Sequence, residues 1–314
     1  MKFDIVILRY QPTKTEKPYY QTYSVDAEKS DHILTVLDRI KWTLDGTLTY
    51  RKNCRNVICG SCGMRINGRA ALACKQTVGD ELKKGNGKIL IEPMGNMPVV
   101  KDLVVDMGRF WHHLEAVRPW LETNDVPQKE HIVSKAEREH LDQVGNCIMC
   151  GACYSDCNSE EVEERFLGPA ALAKAYRYAR DSRDVSHNER LHSYDKPHGI
   201  WDCTHCFECV EVCPKDVAPM EKILAIREKA IEAGFTHNAG SRHSKAFTDS
   251  VRHSGWLNEA TLPVFSAGFN LRELFALIPM GLRMLKRRKM PSPFHKPIPG
   301  SEKIRRIFEK LEKR

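Results

Sequence analysis

The sequence predicts an α+β fold in three parts: a small β-grasp domain over residues 1–103, an all-α domain over residues 104–235, and a basic helical extension over residues 236–314. Three observations predict this division. Alternating apolar residues typical of strands occur in the first part, whereas apolar residues at helical spacing dominate the second. All twelve cysteines lie in the first two parts, so the extension differs in character from the rest of the chain.

The elements of the first part follow from local patterns. Residues 3–10 and 19–25 predict two strands, because apolar, aromatic and β-branched side chains alternate there. Residues 31–44 predict a helix with Asp31 as its N-cap, and residues 88–92 predict a further short strand. Strands, one helix and a glycine-rich cysteine loop together fit a small β-grasp domain.

The second part predicts four main helices, over residues 107–120, 134–144, 168–180 and 219–233. These helical segments bracket two compact runs of cysteines. Helices around two such runs indicate an all-α domain like that of bacterial ferredoxins.

The extension predicts a basic amphipathic helix over residues 270–290, interrupted at Pro279, and a proline-rich connector over residues 291–299. Ser301 is a good N-cap for a last helix. The apolar residues of that helix are Ile304, Ile307, Phe308 and Leu311. Three uses of this surface are open: packing on its own protein, docking a partner subunit, or lying on anionic lipid.

The formal net charge of +8 is a property of the C-terminal end alone. Residues 281–314 contain twelve Lys or Arg and three Asp or Glu, whereas residues 1–280 carry a net charge of −1. No apolar run is long enough to span a bilayer, and no secretory signal is expected at the N-terminus. The basic end has no aromatic interleaving, which argues against nucleic-acid binding.

The twelve cysteines fall into three groups of four. In chain order the groups are Cys54, Cys59, Cys62 and Cys74; Cys147, Cys150, Cys153 and Cys157; and Cys203, Cys206, Cys209 and Cys213. The first group has the spacing C-x4-C-x2-C-x11-C, and the other two share C-x2-C-x2-C-x3-C, with Pro214 after the last. No cysteine is left over, which is typical of a protein that carries single electrons through iron–sulfur clusters.

Each spacing predicts a cluster type. The first is that of a plant-type [2Fe–2S] loop, and the repeated one is that of bacterial [4Fe–4S] sites, in which the fourth cysteine of each run ligates the other cluster. The predicted ligand sets are Cys54, Cys59, Cys62 and Cys74 for [2Fe–2S]; Cys147, Cys150, Cys153 and Cys213 for one [4Fe–4S]; and Cys157, Cys203, Cys206 and Cys209 for the second [4Fe–4S].

Disulfides and zinc are the other uses of such cysteines. Disulfides need an oxidising compartment, and triplets at this spacing would make an odd disulfide frame. Zinc sites use pairs of C-x2-C pairs rather than triplets with a distant fourth ligand. No histidine has a spacing that requires a catalytic or ligand role.

Residues 50–64, which read YRKNCRNVICGSCGM, resemble the iron–sulfur subunit of succinate dehydrogenase and fumarate reductase. The likeness continues in residues 66–68, 72–74, 166–172, 175–177 and 181–184, and it covers roughly residues 1–235. It implies the electron-transfer subunit of a succinate:quinone oxidoreductase, peripheral at the cytoplasmic face of the cell membrane. The implied partners are an FAD-containing flavoprotein subunit, which holds the dicarboxylate site, and a membrane-associated subunit that leads to quinone.

Two positions depart from the common form of that family. There, a residue other than cysteine matches Cys206 and the third cluster is [3Fe–4S]; here Cys206 supplies a fourth thiol, and [4Fe–4S] is expected. The alternative is a free, buried Cys206. In the common form a proline follows the cysteine that matches Cys157, near the quinone. Here Asn158 and the acidic run of residues 159–164 follow, which puts the usual quinone pocket in question.

The extension carries a second resemblance. Residues 255–259, 278–285 and 304–308 are similar to the end of the small iron–sulfur subunit of heterodisulfide reductase. That subunit pairs with one that bears cysteine-rich CCG motifs, so the resemblance implies a membrane-associated partner of this type. It also keeps a second function open, that of an electron-transfer subunit of a heterodisulfide or thiol-linked reductase. A zinc-stabilised protein that binds nucleic acid is the third hypothesis.

Overall fold

The computed structural model describes residues 1–14, 16–124, 128–268, 270–292, 294 and 296–312. They form two compact units, Met1–Ile226 and Arg227–Arg314. The strands are β1 (Lys2–Arg9), β2 (Tyr19–Asp26), β3 (Gly63–Ile66), β4 (Arg69–Leu72), β5 (Ile89–Glu92), β6 (Val99–Lys101) and β7 (Val104–Val105). The helices are α1 (Ile33–Thr43), α2 (Val78–Lys84), α3 (Gly108–Ala116), α4 (Lys135–Gly145), α5 (Ala152–Ser155), α6 (Asn158–Val162), α7 (Gly168–Ala179), α8 (His187–Tyr194), α9 (Glu208–Glu211), α10 (Pro219–Glu232), α11 (Ala239–Ser254), α12 (Leu262–Ala267), α13 (Leu271–Lys286) and α14 (Ser301–Glu312).

The first unit begins with a five-stranded mixed sheet in the order β2–β1–β5–β3–β4. β1 runs parallel to β5, with Ile5 opposite Ile89, and the other neighbours are antiparallel. The inward side chains of β1 share one buried core with Ile33 and Leu37 of α1. The sheet and the helices after it confirm the predicted α+β fold.

From α3 onward the first unit is helical, and α7 is its most buried helix. Small side chains such as Ala171 and Ala175 let α3, α4, α5 and α8 pack closely around it. The fully buried Arg190 of α8 donates two hydrogen bonds to Asp184, at 3.0 and 2.8 Å, and others to backbone carbonyls after α3. Arg190 thus joins α8 to the loop that precedes it and to the loop that follows α3.

In the second unit, α11 packs against α12 and α14. Gly255 ends α11 in the left-handed conformation, with φ of 76°. A Cβ atom at Gly255 would stand 2.5 Å from Cγ1 of Ile298, so both the turn and the packing require glycine. In the described part of the chain, no helix has the length and apolar character needed to cross a membrane.

Three details of the sequence prediction are wrong. His32, not Asp31, precedes the first turn of α1, because the Asp31 carboxylate accepts a hydrogen bond from the N–H of Glu28 instead. Pro279 lies inside a continuous α13, since a proline removes only one helical hydrogen bond and the apolar pattern continues across it. Helix α11, which has few large apolar residues, is not predicted from the sequence. Pro293 and His295 of the predicted connector lie outside the described residues.

Candidate metal centres

The loop after α1 surrounds the thiol of Cys54 with backbone donors. The N–H groups of Asn56, Ile58 and Cys59 donate to its Sγ at 3.3, 3.4 and 3.3 Å. These hydrogen bonds lower the pKa of Cys54 to about 6, and the one from Asn56 contributes most. The N–H of Val57 donates in the same way to Sγ of Cys74, at 3.4 Å. Backbone donors directed at sulfur favour the thiolate, which is the form that binds metal.

This arrangement depends on unusual backbone angles. Arg55 and Val57 have φ of 59° and 55°, in the left-handed region that side chains with a Cβ rarely adopt. Gly60 has φ of 72°, and a Cβ atom there would lie 2.7 Å from Cβ of Cys150. The loop of the first cysteine group therefore touches the second group directly, and only glycine permits the contact.

A buried carboxylate on α1 anchors the same loop. Asp38 accepts hydrogen bonds from Nζ of Lys52 at 2.5 Å, from a guanidinium nitrogen of Arg55 at 2.6 Å, and from the Tyr50 hydroxyl. Burial by itself would raise the pKa of Asp38, but the hydrogen bonds from Lys52 and Tyr50 hold it below its usual value. The role of Asp38 is not predicted from the sequence. The available signal was an acidic side chain within the apolar stretch of α1.

The second group gathers around a small cavity. Cys147, Cys150, Cys153 and Cys213 all line it, although Cys213 belongs to the third group along the chain. Burial, together with the nearby thiols of Cys147 and Cys213, raises the pKa of Cys150 to about 11. These four thiols are the set that the sequence predicts for one [4Fe–4S] cluster.

The remaining four thiols are also neighbours. Burial raises the pKa of Cys209 to about 12, with smaller contributions from the nearby thiols of Cys203, Cys157 and Cys206. Cys206 itself is exposed. The alternative of a free, buried Cys206 is therefore wrong about its burial. The residues on either side, His205 and Phe207, both have left-handed backbone angles, with φ of 59° and 64°.

The second and third groups lie next to each other. Burial raises the pKa of Cys153 well above its usual value, and the thiols of its own group raise it further. Cys209 of the other set is close enough to act on it as well. With the contact between Gly60 and Cys150, the three sets of thiols form a continuous series through the first unit.

The donor sets fit iron–sulfur clusters. Thiolates that are this buried and this close together repel one another, so a cationic metal core would stabilise them. All twelve cysteines are free thiols in the structure. A single zinc ion needs its sulfurs about 2.3 Å from one point. Among the described residues, no three His, Cys, Asp or Glu side chains are placed to hold one metal ion.

Comparisons with known proteins match both cysteine-bearing regions to iron–sulfur domain families. Residues 4–112 match the model of a 2Fe-2S iron-sulfur cluster binding domain, and residues 143–217 match that of a 4Fe-4S dicluster domain. The fumarate reductase iron-sulfur subunit of Haemophilus influenzae is 38% identical over 233 residues, which are 70% of this chain and 90% of that protein. The chain belongs to the iron–sulfur subunits of succinate dehydrogenases and fumarate reductases. The predicted resemblance is thus confirmed.

Other members of this family are similarly close. The succinate dehydrogenase iron-sulfur subunit of Paracoccus denitrificans is 40% identical over 229 residues, covering 72% of this chain and 87% of that protein. The fumarate reductase iron-sulfur subunit of Mycobacterium tuberculosis is 41% identical over 216 residues, covering 68% and 86%. A chain of the Mycobacterium smegmatis Sdh1 complex in the apo form shares the fold, with a TM-score of 0.63 and 23% identity over 74% of this chain and 97% of that chain.

The acidic run that follows Cys157 in this iron–sulfur subunit is only partly solvated. It begins with α6, and Glu160 is fully buried there, with Oε1 lying 3.7 Å from Nδ1 of His113. Burial raises the pKa of Glu160. Glu161 and Val162 are exposed. The run itself is evident in the sequence, but the burial of Glu160 is not.

Proposed function

We propose that this chain is the electron-transfer subunit of a succinate dehydrogenase or fumarate reductase complex. It would carry single electrons between the FAD of a flavoprotein subunit and a membrane-associated subunit that leads to quinone. The observation that carries the proposal is the continuous series of thiol sets, from the loop of Cys54 across the Gly60–Cys150 contact to Cys153 and Cys209. Sites in direct succession are what electron transfer through a protein requires.

The ligand sets are those expected from the sequence. Cys54, Cys59, Cys62 and Cys74 would hold [2Fe–2S]; Cys147, Cys150, Cys153 and Cys213 would hold [4Fe–4S]; and Cys157, Cys203, Cys206 and Cys209 would hold a second [4Fe–4S] in place of [3Fe–4S]. The clusters, when bound, supply the one-electron redox chemistry. The chain supplies the thiolates, and its N–H donors around Cys54 would adjust the reduction potential at that site.

The partners and location are extensions of this proposal. The second resemblance, at residues 255–259, 278–285 and 304–308, supports a membrane-associated partner of the CCG type, with quinone reached through that partner. The complex would lie at the cytoplasmic face of the cell membrane, with this chain as a peripheral subunit. Functionally, the chain would divide into residues 1–103 and 104–235, which hold the clusters, and residues 236–314, which reach the partner or the membrane.

The decisive experiment is anaerobic purification with whatever subunits accompany the chain. We expect a brown complex with about ten irons per copy of this chain, an FAD-containing subunit, and succinate oxidation or fumarate reduction with a soluble dye. EPR of the reduced protein should show one two-iron and two four-iron centres. A colourless preparation, or far fewer irons, contradicts the proposal. An accompanying subunit with thiol or heterodisulfide activity and none toward dicarboxylates favours the second hypothesis.

A further inference from the structure

Helix α13 exposes a continuous apolar stripe. Its five members are spaced i, i+4, i+7, i+11 and i+14, and each is at least half exposed: Leu271, Phe275, Ile278, Leu282 and Leu285. At 100° per residue they fall within an arc of about 80°. A solvated helix does not need five large apolar side chains on one line, and a run of this length is typical of an interaction surface.

The stripe is separate from the face that holds α13 in its own unit. Leu274, Leu277 and Met284 are the half-buried apolar residues of the helix, and they lie on one side of the stripe. Within its unit, α13 contacts α12. No residue of α13 is fully buried. The helix therefore has two apolar faces, and only one of them is used within the described part of the chain.

Basic side chains line the other margin of the stripe. Three exposed basic residues lie about 60°, 100° and 120° around the helix from the centre of the stripe: Lys286, Arg272 and Arg283. Arg287, Arg288 and Lys289 extend the charge beyond the helix end. Residues 271–290 contain six basic residues and one acidic residue, a net charge of +5. The apolar stripe and the basic side chains thus lie side by side on the surface of one helix.

We propose that α13 lies on an anionic lipid surface, with the stripe among the acyl chains and the basic margin at the phosphates. Long Lys and Arg stems can extend from an apolar face to the headgroup level, which suits their place beside the stripe. A protein interface is the less favoured occupant, because an acidic partner would pair with the basic margin without needing five exposed apolar side chains beside it. This chain then contacts lipid directly, in addition to any membrane-associated partner.

The test is sedimentation of the full, cluster-loaded chain with lipid vesicles. We expect binding to vesicles of phosphatidylcholine with phosphatidylglycerol, weak binding to phosphatidylcholine alone, and release by high salt. Leu282→Ser should weaken binding to the anionic vesicles by about tenfold, the loss expected for one buried leucine. Met280→Ser is the matched control, since Met280 is an exposed apolar residue on the opposite side of the same helix, and it should change binding by less than about twofold.

Charge is tested separately by Arg283→Gln with Lys286→Gln. The double change should weaken binding to anionic vesicles by about thirtyfold and leave the weak binding to neutral vesicles unchanged. Because all these side chains are exposed, cluster absorbance and electron transfer to a soluble dye should stay as in the unmodified protein. The proposal is overturned if the full chain does not bind anionic vesicles, if Leu282→Ser and Met280→Ser act equally, or if a copurified subunit rather than lipid covers the stripe. None of these results would affect the proposed electron transfer.

Discussion

Cys150 and Cys213 line one small cavity, although they belong to different cysteine groups along the chain. The Cys213 thiol is close enough to contribute to the raised pKa of Cys150, whose main cause is burial. The equivalent crossing brings Cys157 to the thiols of Cys203 and Cys209. The fold thus brings the last cysteine of each run to the other run. If these cysteines are ligands as proposed, neither cluster would form from a single run.

Paired substitutions can identify which cysteines share a site. Cys147→Ala with Cys213→Ala should lower the iron content by about four per chain, the same as either change alone, because both residues would serve one cluster. Cys203→Ala with Cys213→Ala should lower it by about eight, because two clusters would be lost. Iron analysis of anaerobically purified protein measures both. The [2Fe–2S] EPR signal is the control for folding, and the reverse pattern of losses would disprove the exchange.

Cys206→Ser should convert the third centre to a three-iron type. Cys206 is the exposed member of its set, so the iron that it would hold is the one most open to solvent. We expect loss of about one iron per chain, a three-iron EPR signal in the oxidised protein, and a higher reduction potential. Substitution of Cys209, which is buried, serves for comparison and should remove the whole centre. A strong three-iron signal in unmodified protein kept free of oxygen would contradict the assignment of Cys206.

Local patterns predicted much of this molecule, and contacts between distant segments account for what they missed. Alternation placed β1 and β2 correctly, and cysteine spacing predicted sets of thiols that the fold does bring together. The position of Gly60 against Cys150 depends on how two loops meet, which no local pattern contains. The role of Asp38 likewise depends on contacts with Lys52 and Arg55, which lie in the loop after α1. Helix α11 was not predicted because it has few large apolar residues to mark its inner face.

Asp38→Asn should disturb the first cysteine loop without removing a ligand. The amide keeps the size of the side chain but loses the charge that holds Lys52 and Arg55, and Arg55 is already in a left-handed conformation next to Cys54. We expect a shifted [2Fe–2S] EPR or visible CD spectrum and faster loss of that cluster to a chelator, with the other two centres unchanged. Asp26→Asn, at an exposed carboxylate, is the control. Identical spectra and identical rates for both variants would show that Asp38 does not position the loop.

Asp102→Ala should destabilise the sheet domain more than any single surface change. The carboxylate accepts hydrogen bonds from Nε of Arg9 at 2.9 Å and from the N–H groups of Tyr10 and Thr49 at 3.1 and 2.9 Å, and both Arg9 and Asp102 are buried. Removing it leaves two backbone donors and part of a buried guanidinium without partners. Breaking a buried pair of this kind costs about 3 kcal/mol.

The measurement for Asp102→Ala is thermal unfolding of the full chain followed by circular dichroism. A loss of this size should lower Tm by several degrees. Asp45, 2.5 Å from a guanidinium nitrogen of Arg9, would still balance part of the arginine's charge. Asp31→Ala, which breaks the partly exposed pair with Arg39, should leave Tm nearly unchanged, because water can replace its contacts. Equal values of Tm for the two variants would mean that the Asp102 site can admit water, and that the buried pair does not hold β1 to the β6–β7 turn.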